Sequence, residues 1–338
     1  MSASLPFFVG LDYHQDTIQV CVMNKQGKVL RNRGCVNDWE AVRRIVAARG
    51  RPVRAAIEAC CGAAHLAEEL AEKAGWSVSL AHPGYVARIK QSPDKTDFSD
   101  AQLLADLIRV GYLPTVWLAP EEIRELRRLV RFRGQLVDER RRVKLRLRGL
   151  LRDSRVPAPE ARAWTRAWLQ WVGQEAEFSP ASQWIVRRHL ARLEQLGGEI
   201  REVEKELDQW AEGDAVCRKL RQLAGIGLIT AVTLRAEIGR FDRFSSGKKL
   251  SRFCGLSPRN ASSGPRQSDS GLIKAGNPQL RCILIEAAQR LMRHEPRWQQ
   301  LARALGRRGK PWNVIVAAVA NRWVRWLHHE MQPSRLAG

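Results

Sequence analysis

Four carboxylates stand where a chain rarely leaves a charge unanswered. Asp12 follows the apolar run Phe7-Phe8-Val9-Gly10-Leu11, and Glu58 ends the β-rich run that begins at Val53. Asp97 and Asp100, within Lys95-Thr96-Asp97-Phe98-Ser99-Asp100-Ala101, are three apart at the start of a helical pattern and share a face. A carboxylate at the end of a core strand is costly to bury unless something positive neutralises it. If the four converge they repel one another, and two divalent ions resolve the repulsion. Mg²⁺ (or Mn²⁺) takes carboxylate and water ligands, and two such ions ~3.5–4 Å apart stabilise both the attacking and the leaving oxygen of a phosphodiester displacement. Singly, each acid has a plainer reading: Asp97 as a helix cap, Asp100 as a solvated side chain, Asp12 and Glu58 as turn residues. Together, in this order of elements, they point to a metal site. His14, two residues after Asp12, could assist that site or simply end the strand. Asp16, Asp94 and Asp106 read as surface acids or caps.

Two other constellations carry potential chemistry. Leu223-Ala224-Gly225-Ile226-Gly227-Leu228 looks like a helix-hairpin-helix turn. The amides of Gly225 and Gly227 can cradle a phosphate at the next helix N-terminus, or the glycines can serve a tight turn alone. Arg243 to Arg281 holds 8 basic residues against one acid, Asp269, with Ser262-Ser263-Gly264 at its centre. Lys248, Lys249, Arg252, Arg259, Arg266, Lys274 and Arg281 are phosphate-binding candidates. A serine hydroxyl attacking phosphorus needs such a cationic setting, though spacing alone favours an ordinary loop. Trp164, Trp168 and Trp171 form a helical stripe that reads as helix packing before base stacking. There is no P-loop, HExxH or nucleophile elbow.

The elements that must position these residues divide the chain. Residues 1–119 read as α/β: strands at 7–11, 17–23 and 28–36, a helix from Asp38 to about Ala48, a strand at 53–58, a helix at 63–74 closed by Gly75, and a strand at 77–81. Three antiparallel-type strands followed by alternating helix and strand is the order of RNase H-like domains. Residues 120–212 read as a helical or coiled-coil spacer, with long amphipathic helices over 120–155 and 187–210 separated by Pro157 and Pro159. Residues 213–338 read as a mostly helical third domain ending in an apolar helix, Trp312 to Leu327.

Composition agrees with nucleic acid as partner. The 338 residues carry 57 Lys and Arg against 35 Asp and Glu, a formal net charge of +22. Residues 1–119 hold 14 basic and 12 acidic side chains, so nearly all of the excess lies beyond them. So large a charge opposes compactness unless a polyanion compensates it. The longest clean apolar run, Val314 to Ala320, is too short for a membrane span. The start, MSASLPFFVGLD, lacks the basic segment of a signal peptide. Seven Cys without a CxxC pair suit reduced thiols in a cytoplasm and argue against a zinc module.

The motifs together resemble the DEDD-type insertion-sequence transposases, the bridge-RNA-guided serine recombinases to which the pilin-gene invertase is related. The resemblance rests on Gly10-Leu11-Asp12, Ile57-Glu58, Lys95 to Ala101, Gly225-Ile226-Gly227, Cys254-Gly255-Leu256-Ser257-Pro258, Ser262-Ser263-Gly264 and Lys274-Ala275-Gly276-Asn277-Pro278-Gln279-Leu280-Arg281. It runs in the family's order along nearly the full chain; only the 155–210 spacer lacks motif support. It implies a Holliday-junction-resolvase-like (RNase H-like) first domain whose metal-binding set matches Asp12, Glu58, Asp97 and Asp100. It also implies a C-terminal serine that joins covalently to DNA. The family's serine directly precedes Gly and falls five residues after the Gly-Leu-x-Pro proline, which selects Ser263 over Ser262. Donor DNA, target DNA, a structured guide RNA, a homo-tetramer (a dimer of dimers) and a nucleoid-associated place in a bacterial cytoplasm are further implications. The rival readings are a resolvase-like nuclease without a covalent serine intermediate and an inert basic scaffold.

Overall fold

The computed structural model describes residues 6–90, 96–157, 159–260 and 269–332. The chain separates into two compact units, 1–119 and 120–338.

The first unit is a six-stranded mixed sheet. β1 (Phe7–Tyr13), β2 (Thr17–Met23) and β3 (Val29–Val36) form an antiparallel meander, with Asn24 to Lys28 turning between the last two. β4 (Val53–Glu58) lies parallel to β1, β5 (Ser77–Ala81) parallel to β4, and the two-residue β6 (Thr115–Val116) antiparallel to β5. The spatial order is β3-β2-β1-β4-β5-β6. Because side chains alternate across a strand, β1 has two inward faces. Phe7, Val9 and Leu11 join Ala55 and Ile57 in a core under α1 (Trp39–Val46) and α2 (Ala63–Ala74). Phe8 and Ala56 join the opposite core, under α3 (Pro83–Ile89) and α4 (Asp97–Arg109), with Val86, Ala101, Leu104 and Ala105.

Local signals explain the helix ends. Asp38 caps α1, accepting from the Ala41 amide at 2.9 Å. The helix stops at Val46, short of the expected Ala48, because Ala47 turns left-handed at φ 44°. Thr96 caps α4, forming a reciprocal capping box with Ser99. Asp97 is therefore not the cap; it and Asp100 occupy the first turn.

Gly10 fixes the distance between α4 and the sheet. A Cβ there would stand 1.9 Å from the Ala101 carbonyl oxygen and 2.5 Å from the Ala105 amide. Only a residue without a side chain admits the helix backbone so close.

The second unit is mostly helical. α5 (Glu121–Asp153) and α7 (Pro180–Gly213) pack antiparallel: Leu126 and Val130 meet Leu207 and Ala211, while Leu136 and Val143 meet Leu196, Ile200 and Val203. Spacings of three and four along α7 form the seam expected of a coiled coil. α7 begins at Pro180 rather than at Arg187, because Ser179 caps it and Pro180 takes the first helical position. α6 (Arg166–Gln174) closes the far end, and its Trp168 is buried with Leu147, Val172 and Val186. The tryptophan stripe is packing. Near ends of α5 and α7 share a core with Val232 and Ala236 of α9 (Leu228–Ile238), which follows α8 (Ala215–Arg221).

The remaining elements surround Trp323, which is fully buried. They are α10 (Gly247–Phe253), the hairpin of β7 (Pro258–Asn260) and β8 (Asp269–Leu272), α11 (Pro278–His294), α12 (Pro296–Arg307) and α13 (Trp312–Glu330). Among the described residues no helix is long and apolar enough to cross a membrane, and all seven cysteines are free thiols.

Replacing Gly10 by Ala should cost about 1–3 kcal/mol in urea denaturation, the usual penalty for overpacking. At Gly34 the nearest obstacle is the flexible Gln19 side chain at 3.3 Å, so Gly34→Ala should change stability by less than about 0.5 kcal/mol. A Gly10→Ala protein as stable as wild type would mean that α4 is not pinned to β1.

Candidate metal centre and phosphate-binding residues

Register places the first two acids side by side. β1 and β4 are parallel, with Gly10 opposite Ala56 and Leu11 opposite Ile57, so Asp12 and Glu58 occupy the next step on neighbouring strands. Counting by two from Phe8 and Ala56, both fall on the face that α4 covers. The approach at Gly10 sets the first turn of α4 over that strand end, and with it Asp97 and Asp100.

The side chains meet in two groups. His14 Nε2 lies 3.3 Å from Asp12 Oδ2 and 3.4 Å from Asp97 Oδ1. One donor atom from each of these three residues falls within 4.8 Å of the others. Beside them, Lys90 Nζ pairs with Asp100, both side chains being largely buried. Asp100, Lys90 and Glu58 line one cavity of about 350 Å³. Asp97 is mostly solvent-facing, and Asp12 is largely buried.

Electrostatics follow from the arrangement. The Asp12 carboxyl is held above its ordinary range, chiefly by burial and further by Asp97 and Asp100, while His14 pulls the other way. The N-terminus of α4 favours the carboxylates of its first turn by ~0.3–1 kcal/mol each. For Asp12 these compensations fall short. A divalent cation supplies the missing charge, and carboxylates with an imidazole nitrogen form a competent donor set. The residues present therefore fit such an ion.

The sequence leaves His14 between assisting a metal site and simply ending the strand; the structure sets its ring against Asp12 and Asp97. Lys90 was not singled out; nothing in its local sequence marks it, because its role depends on α3 ending beside α4.

In the second unit, Gly225-Ile226-Gly227 joins α8 to α9, with Ile226 buried. The Gly225 carbonyl accepts from Arg290 Nη2 at 3.4 Å. The turn lines a cavity of about 930 Å³ together with Arg133, Gln279 and Arg290. Lys248, Lys249, Arg252, Arg259 and Lys274 are exposed. Arg281 is different: its Nη1 donates to the Ile273 carbonyl at 3.0 Å, bracing the base of the β7–β8 hairpin. Gly255 and Gly276 pack there so tightly that a Cβ on Gly276 would lie 2.2 Å from the Gly255 Cα. Asn277 caps α11 through its side-chain oxygen and donates Nδ2 to buried Glu237 at 2.8 Å. The recognisable residues on either side of the hairpin are thus the parts that hold its base. Ser262, Ser263 and Arg266 lie outside the described residues.

A family model for transposases of the DEDD type named for IS110 matches residues 9–155, the span that contains all four acids. A second, described as the transposase IS116/IS110/IS902 family, matches residues 217–303. The probable family 20 transposase of Pseudomonas aeruginosa is 31% identical over 284 residues, 82% of this chain and 83% of that protein. The chain belongs to the IS110/IS116 family of transposases. The transposase for insertion sequence element IS1111A of Coxiella burnetii is 27% identical over 288 residues, 85% of this chain and 78% of that one. The putative transposase y4qE of Sinorhizobium fredii is 33% identical over 207 residues, which cover 61% of this chain and 50% of the relative. The DEDD description suggests a divalent metal, and Asp12, His14 and Asp97 are a group that could hold one.

The raised Asp12 carboxyl has a consequence for stability. The folded chain binds that proton more tightly than the unfolded chain does. The contribution of this group therefore falls as pH rises from the ordinary carboxylate range through the raised value, and at neutral pH the cost is fully present. In EDTA at neutral pH, Asp12→Asn should melt at or above the wild-type temperature. Saturating Mg²⁺ or Mn²⁺ should raise the wild-type Tm by several degrees, since a ligand at a hundred times its Kd adds about 2.7 kcal/mol, and should leave Asp12→Asn unmoved. An equal metal-induced rise in both proteins would remove Asp12 from the metal set.

Proposed function

We propose that the chain is the recombinase of a mobile element, cutting and rejoining DNA through a divalent-metal site and a serine nucleophile. The observation that carries the reading is the meeting of Asp12 with Asp97, beside Asp100 and Glu58, at the end of a strand order typical of RNase H-like domains. Asp12, Glu58, Asp97 and Asp100 would hold Mg²⁺ or Mn²⁺. When bound, the metal lowers the cost of charge developing on the phosphodiester oxygens.

The chain's own residues do the rest. Lys248, Lys249, Arg252, Arg259, Arg266 and Lys274 hold phosphates, and the amides of Gly225 and Gly227 add a neutral cradle. The Ser263 Oγ gives up its proton and forms a bond to phosphorus; the bond from phosphorus to one sugar oxygen breaks, and that oxygen leaves as a hydroxyl. The phosphodiester is exchanged for a serine phosphodiester, so rejoining to a new sugar hydroxyl needs no external energy. That conservation suits a transposase better than hydrolysis does. A structured guide RNA, tetrameric assembly and action at the bacterial nucleoid complete the reading, supported by family membership and by the net charge of +22.

The test is to trap the reaction on end-labelled DNA carrying the element's end. Wild-type protein should give an SDS-resistant adduct that maps to the peptide containing Ser263, and Ser263→Ala should abolish it. Asp12→Asn should lower cleavage at least a hundredfold while DNA affinity stays within about threefold. Cleavage without any adduct would favour the nuclease reading. Adducts lost only in Ser262→Ala would shift the role by one residue.

A further inference from the structure

In the second unit, α10, α12 and α13 enclose a cleft of about 920 Å³ whose described lining residues include no acidic side chain. Lys248 enters from the start of α10, Arg297 from α12, and Arg322 and Arg325 from α13; His328 and His329 stand at its end. The four Lys and Arg side chains are exposed, and none forms an ion pair with a described residue. Several arginines of this unit are answered by an acid: Arg133 by Glu204 at 2.7 Å, Arg192 by Glu139 at 2.8 Å and Arg235 by Asp214 at 2.9 Å. Cations gathered without a counter-charge repel one another, and the ligand that relieves them is a polyanion.

The cleft also contains a stacking surface. Trp298 and Trp326 pack edge to face, with ring centroids 6.5 Å apart. The Arg297 guanidinium lies 4.9 Å from the first ring and 5.9 Å from the second. Trp298 is itself buried in the core, so the half-buried Trp326 and the exposed Arg297 guanidinium are the surface on which an unstacked base can rest. A duplex keeps its base faces inside its own stack, so only an unpaired strand can use both the cations and the rings.

We infer that the cleft between α10, α12 and α13 grips an unpaired stretch of nucleic acid, its phosphates held by Lys248, Arg322 and Arg325 and a base lodged against the Arg297–Trp326 surface. The inference rests on the nucleic-acid reading above and adds a site to it.

The experiment uses the full chain and fluorescein-labelled dT12, rU12 and a blunt 12-bp duplex, read by anisotropy over a range of salt. The cleft variant is Lys248→Ala/Arg322→Ala/Arg325→Ala. The control is Arg141→Ala/Arg142→Ala/Arg148→Ala, which removes as much charge from the exposed face of α5. The cleft variant should lose at least tenfold in affinity for dT12, rU12 or both. Its salt slope should fall by about 2, since each single-strand phosphate contact adds ~0.7. Its loss on the duplex should be at least threefold smaller. A larger loss on rU12 than on dT12 names RNA as the strand, and the reverse names DNA. Equal losses in cleft and control variants, an unchanged slope, or equal losses on single strand and duplex would overturn the site. Wild-type protein that binds none of the three probes would overturn the nucleic-acid reading itself, whereas wild-type binding that the cleft variant retains would overturn the cleft alone.

Discussion

The first unit depends on how closely α4 approaches β1. Gly10 removes the side chain that would keep the helix away, and Ala101 and Ala105 present a small face to it. That approach brings the first turn of α4 to the strand end, where Asp12 sits beside Glu58. The same contact that completes the core therefore sets like charges together. Thr96 and Ser99 cap the helix with hydroxyls, leaving the carboxylates of Asp97 and Asp100 free of capping duty. Lys90 returns part of the missing positive charge, and the His14 ring stands against Asp12 and Asp97. For Asp12 the balance remains unfavourable, as its raised carboxyl records. A protein selected for stability alone would place neutral residues here; retaining the acids makes sense where a cation is to be bound.

The second unit meets the opposite problem. α5 is crowded with arginine, and the seam with α7 answers part of the charge, through Arg133 with Glu204 and Arg192 with Glu139. Farther along, buried Glu237 takes Arg131 at 3.2 Å and Asn277, tying α5, α9 and the start of α11 together. Arg127 reaches the Ala236 carbonyl in the same region. These partnerships hold the base on which the β7–β8 hairpin stands. Lys248, Arg297, Arg322 and Arg325 form no ion pair with a described residue, which leaves their charge to the strand proposed for that cleft.

Much of this organisation was legible in the sequence, for physical reasons that can be traced. Strict alternation from Thr17 to Met23, the Asn24-Lys25-Gln26-Gly27 turn and the Gly75 stop each act within a few residues, so β1 to β5, α1 and α2 could be read locally. β6 could not: two residues make no pattern, and Thr115 and Val116 are strand only because β5 offers an edge. The first turns of α7 lack a helical spacing of apolar residues, since Trp184, Ile185 and Val186 stand in a row, although Ser179-Pro180 is a start signal. α10 and α12 are short helices held by the core around Trp323. The four acids were legible because strand ends and helix starts are sequence features. Their partition between His14 and Lys90 was not, since it depends on which side chains tertiary packing leaves within reach. Arg281 shows the limit of reading charge as binding: it stands in a basic stretch, yet one of its donors holds the Ile273 carbonyl.

The charges of the two units impose an order on their ligands. A phosphodiester near Asp12, Asp97 and Asp100 meets negative charge, and at an effective dielectric near 20 each like-charge pair at 4 Å costs about 4 kcal/mol. The basic surface beyond residue 119 attracts the same phosphodiester, more steeply at low salt. On the proposed reading, affinity for nucleic acid would arise in the second unit whatever the state of the first, while the acidic end of β1 would repel the strand until a cation reverses its sign. On that reading, binding and cutting are separable: the arginines and lysines would collect the polyanion, and the acids would admit it to chemistry only with metal in place. Such an arrangement would protect DNA that is merely held, because the groups that grip it and the groups that act on it answer to different ligands.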